Sequence, residues 1–361
     1  MPHVIVLGGS FAGCNATKIL RKEGIDVTLV SSSSHAYFNC AAPRLLVEPD
    51  LIDKTLFPLE EYAKKHGAKF VQAAAVAARL DQNEVDVRGE TEQTLSYDYL
   101  VVATGSRSGD LGFKVNGSAQ EAVGAIREWS EKIKRAETVG ILGAGPTGVE
   151  CAGEIAHDYG KKVVLYSASA PLDRFNLPGA QAKLANLGVE VVQVRYERIV
   201  PGPGGPTVEF EDGSSRTFDV VLNTTHYTPS SEFLPDEVKD EKGFVVTDER
   251  LVVKGFENVL ALGDIVAGAA HSVVDLKFGQ LPVFAATAKS DIAGSATKSK
   301  AYAPTTSTIL VPISRTGGEG RLFGWWLPNI VVRFLKSRDF MISQAPGDFT
   351  YLLSVKLAPI D

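Results

Sequence analysis

The sequence predicts an α/β protein built from two similar strand–helix units with a smaller α+β region at its C-terminal end. Three observations carry this. Apolar runs with strand character alternate with helical stretches along most of the chain. A glycine-rich strand–turn–helix unit occurs twice, Gly143 standing 135 positions after Gly8. The last sixty residues change character, with threonine and serine at 305–308 and aromatic residues at 323–326.

The first unit opens with Val4 to Leu7, a continuous apolar run of the kind a buried parallel strand needs. Gly8 to Gly13 is a turn. Cys14 to Lys22 reads as a helix with Ala16, Ile19 and Leu20 on its apolar face. Val27 to Val30 is the next strand. Tyr97 to Gly105 is a strand ending in a small-residue turn. The second unit repeats the order: strand Thr138–Leu142, turn Gly143–Gly148, helix Val149–Tyr159, strand Lys162–Tyr166. Pro201 to Pro206 is a loop inside it. Asn258 to Asp264 is a further strand running into a turn. A separation of 135 residues marks a duplicated domain, far beyond a solenoid period.

Composition narrows the class. The 361 residues suffice for two or three domains, and 44% hydrophobic with 22% charged residues is ordinary for a globular protein. The net charge of −6 argues against nucleic-acid binding. No apolar run reaches the roughly 18 residues of a spanning helix. The first strand begins at His3, which leaves no room for a targeting peptide, and Pro2 excludes N-myristoylation. The three cysteines, Cys14, Cys40 and Cys151, form no closely spaced pair and no metal-ligand spacing. A reducing, cytoplasmic location follows as the expectation.

The two glycine turns carry the chemistry. In Gly8-Gly9-Ser10-Phe11-Ala12-Gly13, the first glycine makes a tight turn and the last lets helix and strand pack closely. The backbone between them can approach a diphosphate seated on the helix N-terminus. Ser10 replaces the usual central glycine. Gly143-Ala144-Gly145-Pro146-Thr147-Gly148 is a full match to the dinucleotide fingerprint. The acidic residue that usually holds a ribose is missing from both units: Ser31 takes its place in the first, Ser167 in the second. The sequence therefore leaves NADH and NADPH open. Two turns need two dinucleotides, and FAD on one with NAD(P)H on the other is the simplest solution, since nicotinamide delivers the hydride that flavin accepts.

The motifs Gly8–Gly13 (GGSFAG), Tyr97–Ser106 (YDYLVVATGS), Gly140–Ile155 (GILGAGPTGVECAGEI) and Asn258–Asp264 (NVLALGD), in that order, resemble two-dinucleotide flavoprotein reductases. Phe38–Arg44 and Arg333–Phe340 look like segments of the apoptosis-inducing-factor-like, ferroptosis-suppressor-type quinone reductases, relatives of the type II NADH dehydrogenases. The resemblance implies a glutathione-reductase-like pair of Rossmann domains. FAD would occupy 1–109 with 249–297, NAD(P)H would occupy 110–248, and 298–361 would form the C-terminal region. It implies that Gly8, Gly9, Ser10, Phe11, Ala12 and Gly13 hold the FAD diphosphate, with Ser31 at the ribose position. Arg44 would approach the flavin phosphates or ring, and Val76 the adenine. Ala103, Thr104 and Gly105 would pass under the FAD. Asp264, after Gly263, would accept a hydrogen bond from the ribityl hydroxyls. Gly143, Gly145, Pro146, Thr147 and Gly148 would cradle the nicotinamide dinucleotide. Glu150 and Glu154, one helical turn apart, would face the nicotinamide, and Lys277 the flavin.

Where the family often has Thr-Gly, this chain reads Asn223-Thr224-Thr225-His226-Tyr227, which makes His226 a candidate contact for nicotinamide or substrate. With no cysteine pair near the flavin, electrons should leave for a small acceptor, a quinone by resemblance. Two other functional readings stay open: a secondary-metabolism tailoring flavoenzyme acting on an aromatic or quinonoid metabolite, and an NAD(P)H-responsive redox-sensing binding protein with little turnover. The segment Phe323–Arg333 has two readings as well, packing in the C-terminal layer or a homodimer, or a peripheral membrane contact over 323–335.

Overall fold

The computed structural model describes residues 1–109, 112–114, 117–225 and 227–345. In chain order, the first unit is β1 (His3–Leu7), α1 (Phe11–Lys22), β2 (Asp26–Ser31), β3 (Lys69–Gln72) and β4 (Tyr99–Val102). After α2 (Ala119–Arg135), the second unit is β5 (Thr138–Leu142), α3 (Pro146–Tyr159), β6 (Lys162–Ser167), β7 (Glu190–Gln193) and β8 (Val220–Asn223). β9 (Val259–Ala261) returns to the first sheet. The C-terminal layer has β10 (Ile309–Pro312), β11 (Gly318–Leu322) and β12 (Trp325–Trp326), followed by a helical stretch over 329–337.

The first sheet runs β9-β4-β1-β2-β3 and the second β7-β6-β5-β8, both entirely parallel. This is the double Rossmann-like architecture read from the sequence. β1 is buried on both faces, with Val4, Ile5 and Val6 fully enclosed, which is why its sequence shows no alternation. The duplication extends past the βαβ core. In each unit a three-stranded antiparallel meander precedes the last parallel strand: 74–79, 84–88 and 92–96 in the first, 196–200, 207–210 and 215–217 in the second. The Pro201–Pro206 loop joins the first two strands of the second meander.

Both glycine-turn helices begin earlier than their apolar periodicity suggests, at Phe11 and Pro146. Their N-caps are Ser10 and Gly145, both in extended backbone conformations. Proline suits the first helical position because its missing N–H has no intrahelical partner there. Extended backbone at position 10 is open to any L-residue, which explains why serine stands where the fingerprint has glycine.

The units are joined by two crossing segments, Ser106–Arg107 and Thr228–Pro229, paired antiparallel. Phe233, Leu234, Val238 and Val245 pack into the core of the first unit. The chain is thus back in the core of the first unit by Phe233. The C-terminal layer rests on α3. Gly153 permits this, since a Cβ there would lie 2.9 Å from the backbone nitrogen of Ser314. Among the described residues no helix is long and apolar enough to cross a membrane, and no side-chain group could hold a metal ion.

Candidate active site

The two glycine turns fold alike. Gly8 and Gly143 have φ of +111° and +98°, in the left-handed half of the map that L-residues avoid. A Cβ on Gly13 would sit 1.7 Å from the Gly8 carbonyl oxygen, and one on Gly148 would sit 1.8 Å from that of Gly143. Each turn can close only as glycine against glycine. Neither helix N-cap is satisfied by a side chain, and neither first turn contains an acidic residue. Free N–H groups and a positive dipole end are what an anionic group requires.

Both helix starts face one cavity of about 880 Å³ between the two units and the C-terminal layer. Gly8, Gly9, Ser10, Phe11, Ala12 and Ser31 line it from the first unit, followed by Ala103, Thr104, Gly105, Gly263, Asp264 and Lys277. Pro146, Thr147 and Glu150 line it from the second. Gly13, Gly143, Gly145 and Gly148 are absent from the wall, and the first, second and fourth of these shape the turns beneath it. His226 lies outside the described residues.

Three expected contacts are placed differently. Arg44 does not line the cavity. Its guanidinium is 1% exposed and makes a bidentate pair with Glu154, Nη2 to Oε1 at 3.1 Å, while donating to the carbonyls of Ser337 (2.9 Å) and Arg338 (3.2 Å). Glu154 is accordingly sealed away from any nicotinamide. Two buried charges must pair and satisfy their remaining donors locally, and this pair does so. Val76 is exposed and off the wall, where its neighbours Ala73, Ala74 and Ala75 stand instead.

The inward face of α3 carries an acid at every fourth position, and each meets a cation from another segment. Glu150 pairs with Lys336 (2.6 Å), Glu154 with Arg44, and Asp158 with Arg315 (Nε to Oδ2, 3.0 Å), which also reaches Glu48. Of these only the Glu150–Lys336 pair lines the cavity. Burial pushes the Glu150 carboxyl up, and Lys336 opposes the shift. Lys336 Nζ also donates to the Leu310 carbonyl (3.2 Å). Across the cavity, Asp264 accepts from Lys114 Nζ (2.7 Å), which also donates to Ser106 (2.5 Å). Behind Asp264, the Gly263 N–H donates to Gln280 Oε1 at 2.6 Å. Gln280 Nε2 in turn donates to the buried Asp275 at 3.1 Å.

Lys114, Arg174, His271 and Lys336 line the cavity and were not singled out by their motifs. Each stands in a loop or the C-terminal layer, where only tertiary packing brings it to the site. The three thiols are free, and burial pushes all of them up, Cys40 to about 11 even with Lys336 nearby.

A duplicated nucleotide-binding unit that turns both copies onto one cavity is the plan of a two-dinucleotide oxidoreductase, in which one nucleotide passes hydride to the other. Comparison with known proteins agrees. The chain belongs to the pyridine nucleotide-disulphide oxidoreductase family, whose model matches residues 2–288. It is 32% identical to oxidoreductase ptaL of Pestalotiopsis fici, over 94% of this chain and 97% of the relative. It is 28% identical to ferroptosis suppressor protein 1 of Xenopus laevis, over 95% and 94%. The sulfide:quinone oxidoreductase of Aquifex aeolicus shares the fold, with a TM-score of 0.72 at 14% identity over 98% of this chain and 92% of that one. The chain is an oxidoreductase flavoprotein with FAD and NAD(P)H as its cofactors.

Proposed function

We propose that the protein passes hydride from NAD(P)H to FAD and on to a small quinone-like acceptor. The observation that supports this best is the meeting of two uncapped, acid-free helix N-termini on one cavity with no cysteine pair beside it. The residues present fit the cofactors. The α1 turn, with Ser10, Phe11 and Ala12, would hold the FAD diphosphate, and Asp264 its ribityl hydroxyls through Oδ1, with Oδ2 kept by Lys114. Pro146 and Thr147 on α3 would hold the nicotinamide dinucleotide. When bound, FAD supplies the two-electron step between nicotinamide and acceptor.

The chain's own groups supply charge and protons. A carbonyl that takes up hydride gains negative charge and then a proton. Lys336 Nζ, fixed by Glu150 and Leu310, is a cationic donor on the wall with Cys40, Ala42, Pro43 and Met341. Preorganised charge of this kind favours the transition state over the ground state. Purified protein should be yellow and should bleach anaerobically on addition of NADH or NADPH. A colourless preparation that fails to take up added FAD would sink the proposal.

A lipid surface as the acceptor's source is supported by a second observation. Trp325 (80% exposed), Phe323, Trp326, Ile330 and Phe334 stand exposed together on the C-terminal layer. The Phe323 N–H donates to Thr308, a cavity residue, at 2.9 Å. Residues 298–345 carry seven Lys and Arg against two Asp and Glu, in a chain of net charge −6. Lys336 and Arg315 are held in ion pairs with Glu150 and Asp158, while Arg333 stands exposed beside Phe334. Exposed aromatic residues beside an exposed arginine suit an anionic membrane face.

A further inference from the structure

One part of the cavity wall has no task once the two diphosphates are seated on α1 and α3. It is made by Lys114, Arg174, Tyr227 and His271, which come from four separate segments and all line the cavity. His271 has φ of +48°, in the left-handed region that is uncommon for residues other than glycine. Its ring is flanked by Tyr227 at 5.3 Å and Phe244 at 5.1 Å. Its Nδ1 is buried and has no hydrogen-bond partner among the described residues. Buried polar atoms are nearly always paired, so the orphaned nitrogen of a ring that lines the cavity points to a ligand atom that it reaches when the ring turns.

The charges nearby decide what that ligand carries. Lys114 is neutralised by Asp264, and Arg107 by Glu232. Arg174, lying over the Phe175 ring at 4.5 Å, forms no ion pair among the described residues. Burial lowers the His271 pKa, with Lys114 and Arg174 adding to the effect and Asp264 and Asp275 opposing it, so the imidazole is neutral at pH 7. The wall therefore offers one unbalanced positive charge, one neutral hydrogen-bonding nitrogen and several aromatic faces. A planar aromatic molecule with a single acidic group matches that set. A 2′-phosphate, with nearly two charges at neutral pH, matches a single unbalanced positive charge poorly.

We propose that His271, Arg174, Lys114 and Tyr227 form an anchoring subsite for a planar aromatic acceptor bearing one acidic group, a phenolate or an aryl carboxylate. The inference rests on the reading of this cavity as a reductase site. Its test uses the oxidised holoenzyme and two acceptors of similar size. 2-Hydroxy-1,4-naphthoquinone is ionised at neutral pH, and 2-methyl-1,4-naphthoquinone is neutral. Binding of each is followed by perturbation of the flavin spectrum, and turnover with NADH and NADPH is measured separately. The expected result is binding of the anion tighter by about tenfold, the worth of one charge-assisted hydrogen bond. Arg174→Gln and His271→Asn should each collapse that ratio toward unity. Asparagine is chosen because it tolerates the left-handed backbone at 271. Equal binding of the two naphthoquinones by the native protein would overturn the subsite, and so would a ratio untouched by either substitution. A defect confined to the KM for NADPH would overturn it too, assigning the wall to the nucleotide. If the acceptors bind with the expected ratio but neither is reduced, the reductase reading fails while the subsite stands.

Discussion

Arg44 and Glu154, separated by 110 positions in the chain, meet as a bidentate ion pair with both side chains almost fully enclosed. The pair ties the first unit to the helix that follows the second glycine turn. Through the carbonyls of Ser337 and Arg338 it also ties in the C-terminal layer. Removing one partner leaves a buried charge without compensation, at a cost of about 3–5 kcal/mol. Glu154→Ala should therefore lower unfolding stability by that order in urea titrations. The double variant Arg44→Met with Glu154→Leu should recover most of the loss. Unchanged stability of Glu154→Ala would contradict the buried-pair account.

The neighbouring pair carries a different expectation. Glu150 and Lys336 line the cavity, so loss of the lysine is expected to show in turnover. Lys336→Met should leave FAD bound while slowing turnover by about a hundred- to a thousandfold, the usual scale for loss of one preorganised donor. Stopped-flow separates the half-reactions. Slowing confined to reoxidation by the acceptor places Lys336 on the acceptor side, and normal rates in both halves would remove it from the mechanism.

The glycine turns offer a matched pair of substitutions. Alanine at 13 would drive its Cβ onto the Gly8 carbonyl, and alanine at 148 onto that of Gly143. Gly13→Ala should yield protein depleted of FAD. Gly148→Ala should keep FAD and raise the KM for the nicotinamide nucleotide by at least about tenfold, since a displacement of roughly 1 Å can cost a hundredfold. Loss of FAD in Gly148→Ala, with retention in Gly13→Ala, would reverse the assignment of the two units.

These turns were legible in the sequence because a glycine fingerprint is local: steric demand within six residues fixes both the turn and the following helix. The central strands were legible for a related reason, since buried parallel strands write themselves as continuous apolar runs, as Val4–Leu7 does, while their order in the sheets was not. Arg44 and Glu154 were misread because a charge beside a motif looks the same in sequence whether it faces a ligand or another charge. Lys336 lay inside the Arg333–Phe340 segment that carried the resemblance but was given no role of its own, and nothing near His271 in the chain marks a site; three-dimensional packing brings both to the cavity. Asp264 was placed at the cavity from its motif, while its partner Lys114, 150 residues earlier, had no local signal.

Cys40 tests the absence of disulfide chemistry. Burial raises its pKa to about 11, Lys336 opposing and Glu150 and Asp264 adding. At pH 7.5 the group is almost wholly the unreactive thiol. Alkylation by iodoacetamide should thus be slow at pH 7.5 and accelerate as pH approaches 11, and Cys40→Ser should retain reductase activity. The linked effect on stability has a definite sign. The raised folded-state pKa stabilises the protein below the unfolded thiol's pKa of about 8.5. That contribution is lost as pH rises through about 11. Rapid inactivation by alkylation at neutral pH would show a thiolate that this site does not favour.

The exposed aromatic group on the C-terminal layer bears on the two readings left by the sequence. Trp325, Trp326, Phe323 and Phe334 are all more than half exposed, so packing within the layer does not account for them. A lipid surface and a second copy of the chain remain. Trp325 pairs through its backbone with Leu322 at the edge of a three-stranded sheet, and Ile330 and Phe334 lie one helical turn apart beside the exposed Arg333. Arginine beside aromatic residues can reach the headgroups while the rings enter the acyl boundary. The expected outcome is co-sedimentation with vesicles containing phosphatidylserine, a blue shift of tryptophan emission, and loss of both in the Trp325→Ser, Trp326→Ser double variant. Binding should weaken as salt is raised, because part of the attraction is between exposed charges. A monodisperse dimer in light scattering that the same double variant splits, with no vesicle binding, would instead assign the surface to a second copy.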